Sequence, residues 1–417
     1  MELKIVFFTF YYPPDLSAGS FRAIALAKAL STKMENGDEL HVITTHPNRY
    51  SNHRVEASDF EVDGKVNLHR IAVPSHQSGM LSQSHTFAVY AVEAYRLCRE
   101  INPDFLIGTT GRLMTGVLTG LTAFRLRKRY FIDLRDIFSE TISELLSRKH
   151  WLLGIVFKHI FSFVDRCLLV GAAGVNVVSD GFPEYFKKHG IDTHSWSFFP
   201  NGVDREFFGF NPMKDNNFTK EKTILYAGNI GSGQGLETIV PQLAKQLGDN
   251  FRFVIVGDGG TAPLLKELIL KEKITNVEIM TPVSRAELMN YYRKADILFL
   301  HLNDVPAFRR VLPSKIFEYG AVGKPIVAGL SGYSANFLKD HLSYVNIFDP
   351  GNHESAYSCI LKANSTKVPA DVVANFVKDY SRATIMNHLA KHVLSIIRVG
   401  KEHPGAGYLG FNTSSII

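Results

Sequence analysis

Short apolar runs rich in β-branched and aromatic residues alternate along the chain with longer stretches in which apolar residues recur every three or four positions. The runs at 4–9, 39–44, 105–108, 130–134 and 174–178 predict strands. Between them, the patterns at 23–30, 87–99, 113–124, 151–170 and 182–190 predict helices. A second series follows, with strands at 223–227, 251–256, 277–280, 297–302 and 325–328 and helices at 236–247, 262–273, 284–295 and 314–322. Strand and helix in regular alternation is the signature of βαβ units on parallel sheets. The expected fold class is α/β, with two Rossmann-like doubly wound domains facing across a cleft. Phe198-Phe199-Pro200-Asn201-Gly202-Val203-Asp204, a Pro and Asn-Gly turn cluster, is the expected hinge. The expected domains are 1–200, 201–384, and a C-terminal piece at 385–417 that returns as a helix to the first domain and ends in a mobile tail. Residues 370–397 carry one continuous helical period.

The chain has 417 residues, 45% hydrophobic and 21% charged, with 17 Pro and 32 Gly, a balance that excludes disorder, collagen and coiled coil. A formal charge of +6 suits anionic ligands or anionic lipid and does not by itself indicate nucleic acid. Three widely spaced cysteines fit neither a disulfide framework nor a CxxC metal site, and point to a reducing, cytosolic setting. The opening apolar run is too short for a leader and reads as a buried first strand. The most apolar long stretch, 151–170, is interrupted by Lys158, His159, Asp165 and Arg166, so a spanning helix is not expected. That stretch and the upstream Arg125, Arg127, Lys128 and Arg129 suit a peripheral membrane face. A partly buried helix with a solvated basic loop is the competing reading.

Chemistry is expected beyond the carboxyl ends of the strands, where loops lead into helix N-termini. After the first strand, Tyr12-Pro13-Pro14-Asp15-Leu16-Ser17-Ala18-Gly19-Ser20 enters a helix, and Gly19 would let backbone N–H groups approach an anion. A plain strand-to-helix turn explains the same residues. Tyr226-Ala227-Gly228-Asn229-Ile230-Gly231-Ser232-Gly233-Gln234-Gly235-Leu236 repeats the arrangement without a GxGxxG order or a Walker Lys, which disfavours a dinucleotide or P-loop site. Val256-Gly257-Asp258-Gly259-Gly260 is a third such turn. In Pro313-Ser314-Lys315-Ile316-Phe317-Glu318, a helix start, a hydroxyl and an ammonium can converge on a diphosphate. Glu318, one turn on, suits a ribose diol, and a capping or solvated Glu explains the same residue.

Jointly these motifs resemble the GT-B glycosyltransferases, within them the retaining family-4 group, and there the bacterial O-antigen, capsule and exopolysaccharide transferases related to the colanic-acid and aminosugar enzymes. The resemblance also rests on Asp133-Leu134-Arg135-Asp136, Pro200-Asn201-Gly202-Val203-Asp204, Ala295-Asp296 and Tyr380-Ser381-Arg382. It implies transfer of a hexosyl or N-acetylaminosugar group, with retention, from a nucleotide sugar to a lipid-linked or saccharide acceptor in lipopolysaccharide or other cell-surface polysaccharide synthesis. It further implies that Glu318 binds the ribose and that Ser314, Lys315 and the backbone near Gly19, Asn229, Gly231 and Asp258 bind the diphosphate. The base would stack on the loop at Pro282 and Val283, and uridine is the expected base. Two departures stand out: Asn229 and Gln234 occupy positions where many relatives carry Arg and Lys, and Arg310 replaces the first member of the relatives' paired glutamates. Phosphate charge then falls to Lys315 with Arg309 or Arg310.

No Asp-x-Asp occurs, so no metal cofactor is expected. The expected catalytic residues are Asp136, assisting the acceptor hydroxyl, Arg135 beside it, and Lys315 on the leaving diphosphate. Asp136 is equally readable as a helix cap. Acceptor contacts are expected in loops at 47–63 and 75–84. The expected location is cytoplasmic, peripheral on the inner face of the membrane. Competing functions are a nucleotide-sugar 2-epimerase of the same fold and a non-catalytic partner subunit that keeps the fold.

Overall fold

The computed structural model describes residues 2–15, 17–47, 56–74, 80–111, 113–137, 151–210 and 221–402. The tail from 403, residues 48–55 and 75–79 of the expected acceptor loops, and residues 138–150 after Asp136 lie outside the described residues. Contacts divide the chain into two units, Met1–Asn201 with Arg382–Ile417, and Gly202–Ser381.

The sheet of the first unit has the order β3-β4-β2-β1-β5-β6-β7-β8. Its strands are β1 (Lys4–Phe8), β2 (Glu39–Thr45), β3 (Phe60–Asp63), β4 (Val66–Ile71), β5 (Phe105–Thr109), β6 (Arg129–Leu134), β7 (Gly174–Val177) and β8 (Ser197–Phe198). All pairs are parallel except β3 with β4. The central strands are buried on both faces, which is why β1 and β5 read as unbroken apolar runs. The helices are α1 (Ala18–Lys33), α2 (Met80–Ile101), α3 (Leu113–Leu126), α4 (Trp151–Val170), α5 (Pro183–Lys188) and, from the far end of the chain, Arg382–Glu402. Two segments expected as loops are ordered elements. Phe60–Asp63 is an exposed edge strand, and residues from Met80 already belong to α2.

The second unit carries a fully parallel sheet in the order β11-β10-β9-β12-β13-β14. Its strands are β9 (Lys222–Ala227), β10 (Phe251–Val256), β11 (Val277–Met280), β12 (Ile297–His301), β13 (Ile326–Gly329) and β14 (Val345–Phe348). The helices are α6 (Leu236–Leu247), α7 (Ala262–Lys271), α8 (Arg285–Lys294), α9 (Lys315–Val322), α10 (Tyr333–His341), α11 (His353–Ala363) and α12 (Ala370–Asp379), which makes the C-terminal helix of the first unit α13. Ile224, Phe253, Ile255 and Phe299 pack with the inner face of α6 in one core. The single helical period over 370–397 is cut at Tyr380–Ser381. There the carbonyl of Tyr380 accepts from Val203 N–H at 2.6 Å and Ser381 bridges Val203, so the backbone leaves the helix to pair with the start of the unit. The unit boundary accordingly falls at 381/382 rather than 384.

Candidate functional site

The second unit carries most of the expected residues beyond the carboxyl ends of β9, β10, β11 and β12. β9 ends at Ala227, and the chain turns through Gly228 into a loop pinned by Ile230, which is fully buried and donates its N–H to Asp258 O at 2.9 Å. Two glycines are required by space. A Cβ on Gly257 would lie 1.8 Å from the Gly228 carbonyl oxygen, and one on Gly228 would lie 2.7 Å from Cε of Lys315. Lys315 therefore lies across the bare backbone at the loop entrance.

Pro313 and Ser314 start α9 as expected, and Ser314 makes no side-chain capping bond, which leaves its hydroxyl at the helix mouth. Tyr319 anchors that helix to the sheet: its buried hydroxyl accepts from Ala227 N–H and donates to Phe299 O at 3.1 Å. Lys315 Nζ and Glu318 Oε2 stand 4.0 Å apart, with side chains 20% and 16% exposed. Burial lowers the Lys315 pKa, as does Arg285 to a lesser degree, while Glu318 raises it. Glu318 accepts from the Tyr292 hydroxyl at 2.8 Å, and its other oxygen lies 3.9 Å from Arg285.

Arg285 opens α8, directly after the loop that holds Pro282 and Val283. It donates to Asp204 at 2.6 Å and to Glu206, and lies over the Phe207 ring at 5.3 Å. Burial opposes its charge, but the carboxylates of Glu318, Asp204 and Glu206 raise its pKa. The three acids and two bases form one chain of charge from the start of the unit to α9.

Asn229 and Gln234 are together, but they bond one another: Asn229 Nδ2 donates to Gln234 Oε1 at 2.8 Å, and the same oxygen accepts from Gly231 N–H at 3.2 Å. Beneath the loop sits His301, buried. Its Nδ1 donates to Gln234 O at 2.6 Å and its Nε2 accepts from Gly351 N–H at 2.9 Å, which assigns the tautomer, and burial keeps the ring neutral. Asp258 Oδ1 accepts from its neighbour Gly259 N–H at 2.8 Å. Of the two arginines expected to supply phosphate charge, Arg309 is held by both oxygens of Asp304 at 2.7 and 2.8 Å, and Arg310 donates to Pro306 O at 2.9 Å. Lys315 is thus joined by Arg285, not by Arg309. Arg285, Tyr292, His301 and Tyr319 are missing from the sequence reading, because each acts through a partner distant in the chain.

Gly19, Arg135 and Asp136 belong to the first unit. Gly19 and Arg135 line a small pocket between β1, β5 and β6 together with Thr9, Tyr11 and Gly111, and Asp136 follows Arg135 in the chain. Arg135 Nη1 lies 2.6 Å from the position a Cβ on Gly19 would take and 3.2 Å from that on Gly111, so both glycines make room for the guanidinium. Arg135 Nε is buried with no hydrogen-bond partner among the described residues, and burial lowers the group's pKa. Burial also pushes the Asp136 carboxyl up to about 6, against the opposing pull of Arg135. Asp136 precedes residues outside the description, so its role as a cap lies outside it as well. Arg22 of the same opening motif is buried under α1, where it binds Asp133 by both oxygens at 2.7 and 2.8 Å.

Residues 210–370 match the family described as glycosyl transferases group 1. WcaI of Escherichia coli (strain K12), named as a colanic acid biosynthesis glycosyl transferase, is 24% identical over 80% of this chain and 84% of its own length. Among solved structures, sucrose-phosphate synthase of Thermosynechococcus elongatus superposes with a TM-score of 0.72 at 14% identity, covering 94% of this chain and 100% of its own. HepE of Anabaena, solved with UDP and glucose, gives 0.65 at 16% identity, covering 94% of this chain and 100% of its own.

Proposed function

On the premise that this chain is a glycosyltransferase of the two-Rossmann GT-B fold with a group 1 domain at 210–370, we propose that it moves a sugar from a UDP-sugar, with retention, to a lipid-linked acceptor in the synthesis of a cell-surface polysaccharide. The reaction takes place at the cytoplasmic face of the membrane. The observation that carries the reading is the meeting of Lys315 and Glu318 at the Gly228 loop, within the matched residues. Colanic acid in the name of WcaI supports the polysaccharide, and UDP with glucose in HepE supports the donor.

In this reading Glu318, already positioned by Tyr292 and Arg285, takes the ribose diol. The Ser314 hydroxyl, the first N–H groups of α9 and the Lys315 ammonium take the diphosphate and stabilise the charge that grows on it as the glycosidic bond breaks. Lys315 suits that task because its partly desolvated charge is offset by a carboxylate 4.0 Å away and the Tyr319 ring 5.9 Å away, and a diphosphate restores what burial removed. Pro282 and Val283 offer the base a flat contact. In the first unit, Asp136 takes the proton of the acceptor hydroxyl, and its carboxyl near pH 6 is poised for that transfer. This positive charge comes from the chain itself, so the proposal includes turnover without a divalent cation.

Thermal stability measured with UDP, GDP, ADP, CMP and TDP, each with and without EDTA, tests it. A ligand at about 100 times its Kd stabilises by ~2.7 kcal/mol. Selective, EDTA-resistant stabilisation by UDP is expected. Stabilisation by another diphosphate overturns the base assignment, and stabilisation abolished by EDTA overturns the metal-free site. The closed Asn229–Gln234 pair favours one second reading, a subunit that binds nucleotide without turnover. Release of UDP from a UDP-sugar in the presence of membranes, abolished in Asp136→Asn, excludes it.

A further inference from the structure

Two touching helices of the first unit turn apolar side chains outward at matching spacing. On α3, Met114, Leu121 and Phe124 are exposed, with Val117 partly so between them. On α4, Ile160, Phe163 and Val170 are exposed, with Cys167 partly so. Both series step by three, four and three residues, which places each on one stripe of its helix. The stripes are not the faces the fold uses. α3 buries Thr115, Thr119, Thr122 and Ala123, and it seats Leu168 of α4 where Gly116 and Gly120 leave room, a Cβ at either lying 3.0 or 3.1 Å from a Leu168 methyl. Leu121 at 51% and Phe163 at 59% exposure are therefore held outward on adjoining helices. Single exposed apolar residues are ordinary, but paired stripes of this size mark a contact surface.

The rim is basic. Residues 125–129 read Arg-Leu-Arg-Lys-Arg, without an acid; Arg129 turns away to donate to Ile396 O at 3.1 Å, and Arg125 follows Leu121 on the same face of α3. Arg166 is exposed on α4. On α2, which packs against α3, Tyr95 lies 5.9 Å from the Arg125 guanidinium, and Arg96 and Arg99 are exposed. Glu93 pairs with Arg96 at 2.7 Å, and Glu100 is the other exposed acid on that stretch of α2. Among the described residues no helix is long and apolar enough to cross a membrane.

We propose that this face of α3 and α4 docks the protein on an anionic lipid bilayer. The apolar stripes enter the boundary between headgroups and acyl chains, while Arg125, Lys128 and Arg166 meet lipid phosphates. A second copy of the chain fits poorly, because a two-fold contact would set the basic rim against itself. The proposal rests on the reading of a lipid-linked acceptor and names the surface that brings the protein to it.

The test is flotation of the full chain with vesicles of phosphatidylcholine, alone or mixed with phosphatidylglycerol, at low and high salt. Binding is expected on the mixed vesicles and reduced by salt. The triple substitution Leu121→Ser, Ile160→Ser and Phe163→Ser should weaken it by about tenfold or more at either salt, since each buried CH₂ contributes about fourfold. Arg125→Gln with Lys128→Gln should lose the preference for phosphatidylglycerol, at about fivefold per residue. All these residues lie on the surface, so melting temperatures and UDP-induced stabilisation should match those of the native chain. Vesicle binding absent from the native chain, or unchanged in the triple variant, overturns the proposal. So does a native dimer in light scattering that the triple variant dissociates, which would assign the face to a second copy. Absence of UDP-induced stabilisation in a native chain that floats would overturn the donor reading and leave the docking surface standing.

Discussion

Each unit holds an arginine against a carboxylate near the carboxyl end of its sheet, and the two sites are opposites. In the first unit Arg22 and Asp133 are both 2% exposed. Arg22 spends its remaining donors on the Pro200 and Phe199 carbonyls at 2.7 and 2.9 Å, while Asn176 donates to Asp133 at 2.7 Å. Burial alone would raise the Asp133 pKa, yet Arg22 and Asn176 hold it below the usual carboxylate value. In the second unit Glu318 has one short bond, from Tyr292, while Lys315 stands 4.0 Å away and Arg285, held by Asp204 and Glu206, 3.9 Å away. Saturated charge in a sealed place stabilises a structure. Charge gathered but left unsaturated is stored for a ligand, at a cost to stability.

The largest expected effect breaks the sealed site. Arg22→Ala leaves a buried carboxylate unpaired and should lower stability by about 3–5 kcal/mol, read from urea unfolding of the full chain. A loss under 1 kcal/mol would mean that the pair is not the buried hub its geometry describes. Lys315→Met should do the reverse, with stability unchanged or slightly raised but UDP affinity reduced by about 1–3 kcal/mol, measured by calorimetry. A fall in both would place Lys315 with Arg22 as a structural group.

Asp136 sharpens the contrast within the first unit, because its partly buried carboxyl makes no hydrogen bond like those of Asp133 among the described residues. Its folded pKa, about 6, exceeds the ordinary 3.8, so the native state binds the extra proton between those values and stability falls as pH rises through them. Asp136→Asn should therefore raise stability at neutral pH, on the order of 1–2 kcal/mol, with the gain vanishing below pH 3.8. Transfer activity should rise through pH 6 in the native chain and be lost in the variant. A native profile flat across that range would remove Asp136 from the reaction. The smallest effect belongs to charges in neither setting. Arg252 and Glu278 meet at 2.6 Å but are 46% and 40% exposed, and Arg252→Ala should change stability by less than about 1 kcal/mol.

The sheets were legible where burial on both faces forces unbroken apolar runs, as in β1, β5 and β12. β3 escaped because its four residues are all exposed and follow the pairing of β4 rather than a hydrophobic pattern of their own. β14 escaped for a related reason, its first three residues being only partly buried. The motif from Pro313 to Glu318 was legible as a helix start, since proline, a small hydroxyl residue and a following apolar face are local signals. Arg285 and His301 carry no local signal. Their partners lie 81 and 67 residues away, and nothing in the intervening chain announces the meeting.

The same limit explains why Arg22 and Arg285, two arginines near helix starts, could not be told apart by sequence. Local terms act over a few residues: the alternation of apolar runs, the turn chemistry of glycine and proline, and the entry into each helix. These determined the α/β class, the two series of strands and the loops at which chemistry gathers. Desolvation and pairing of charge depend on which distant groups share a space. Only the tertiary structure decided that Arg22 is sealed against Asp133, that Asn229 and Gln234 satisfy each other, and that Lys315 and Glu318 stand close without closing on one another.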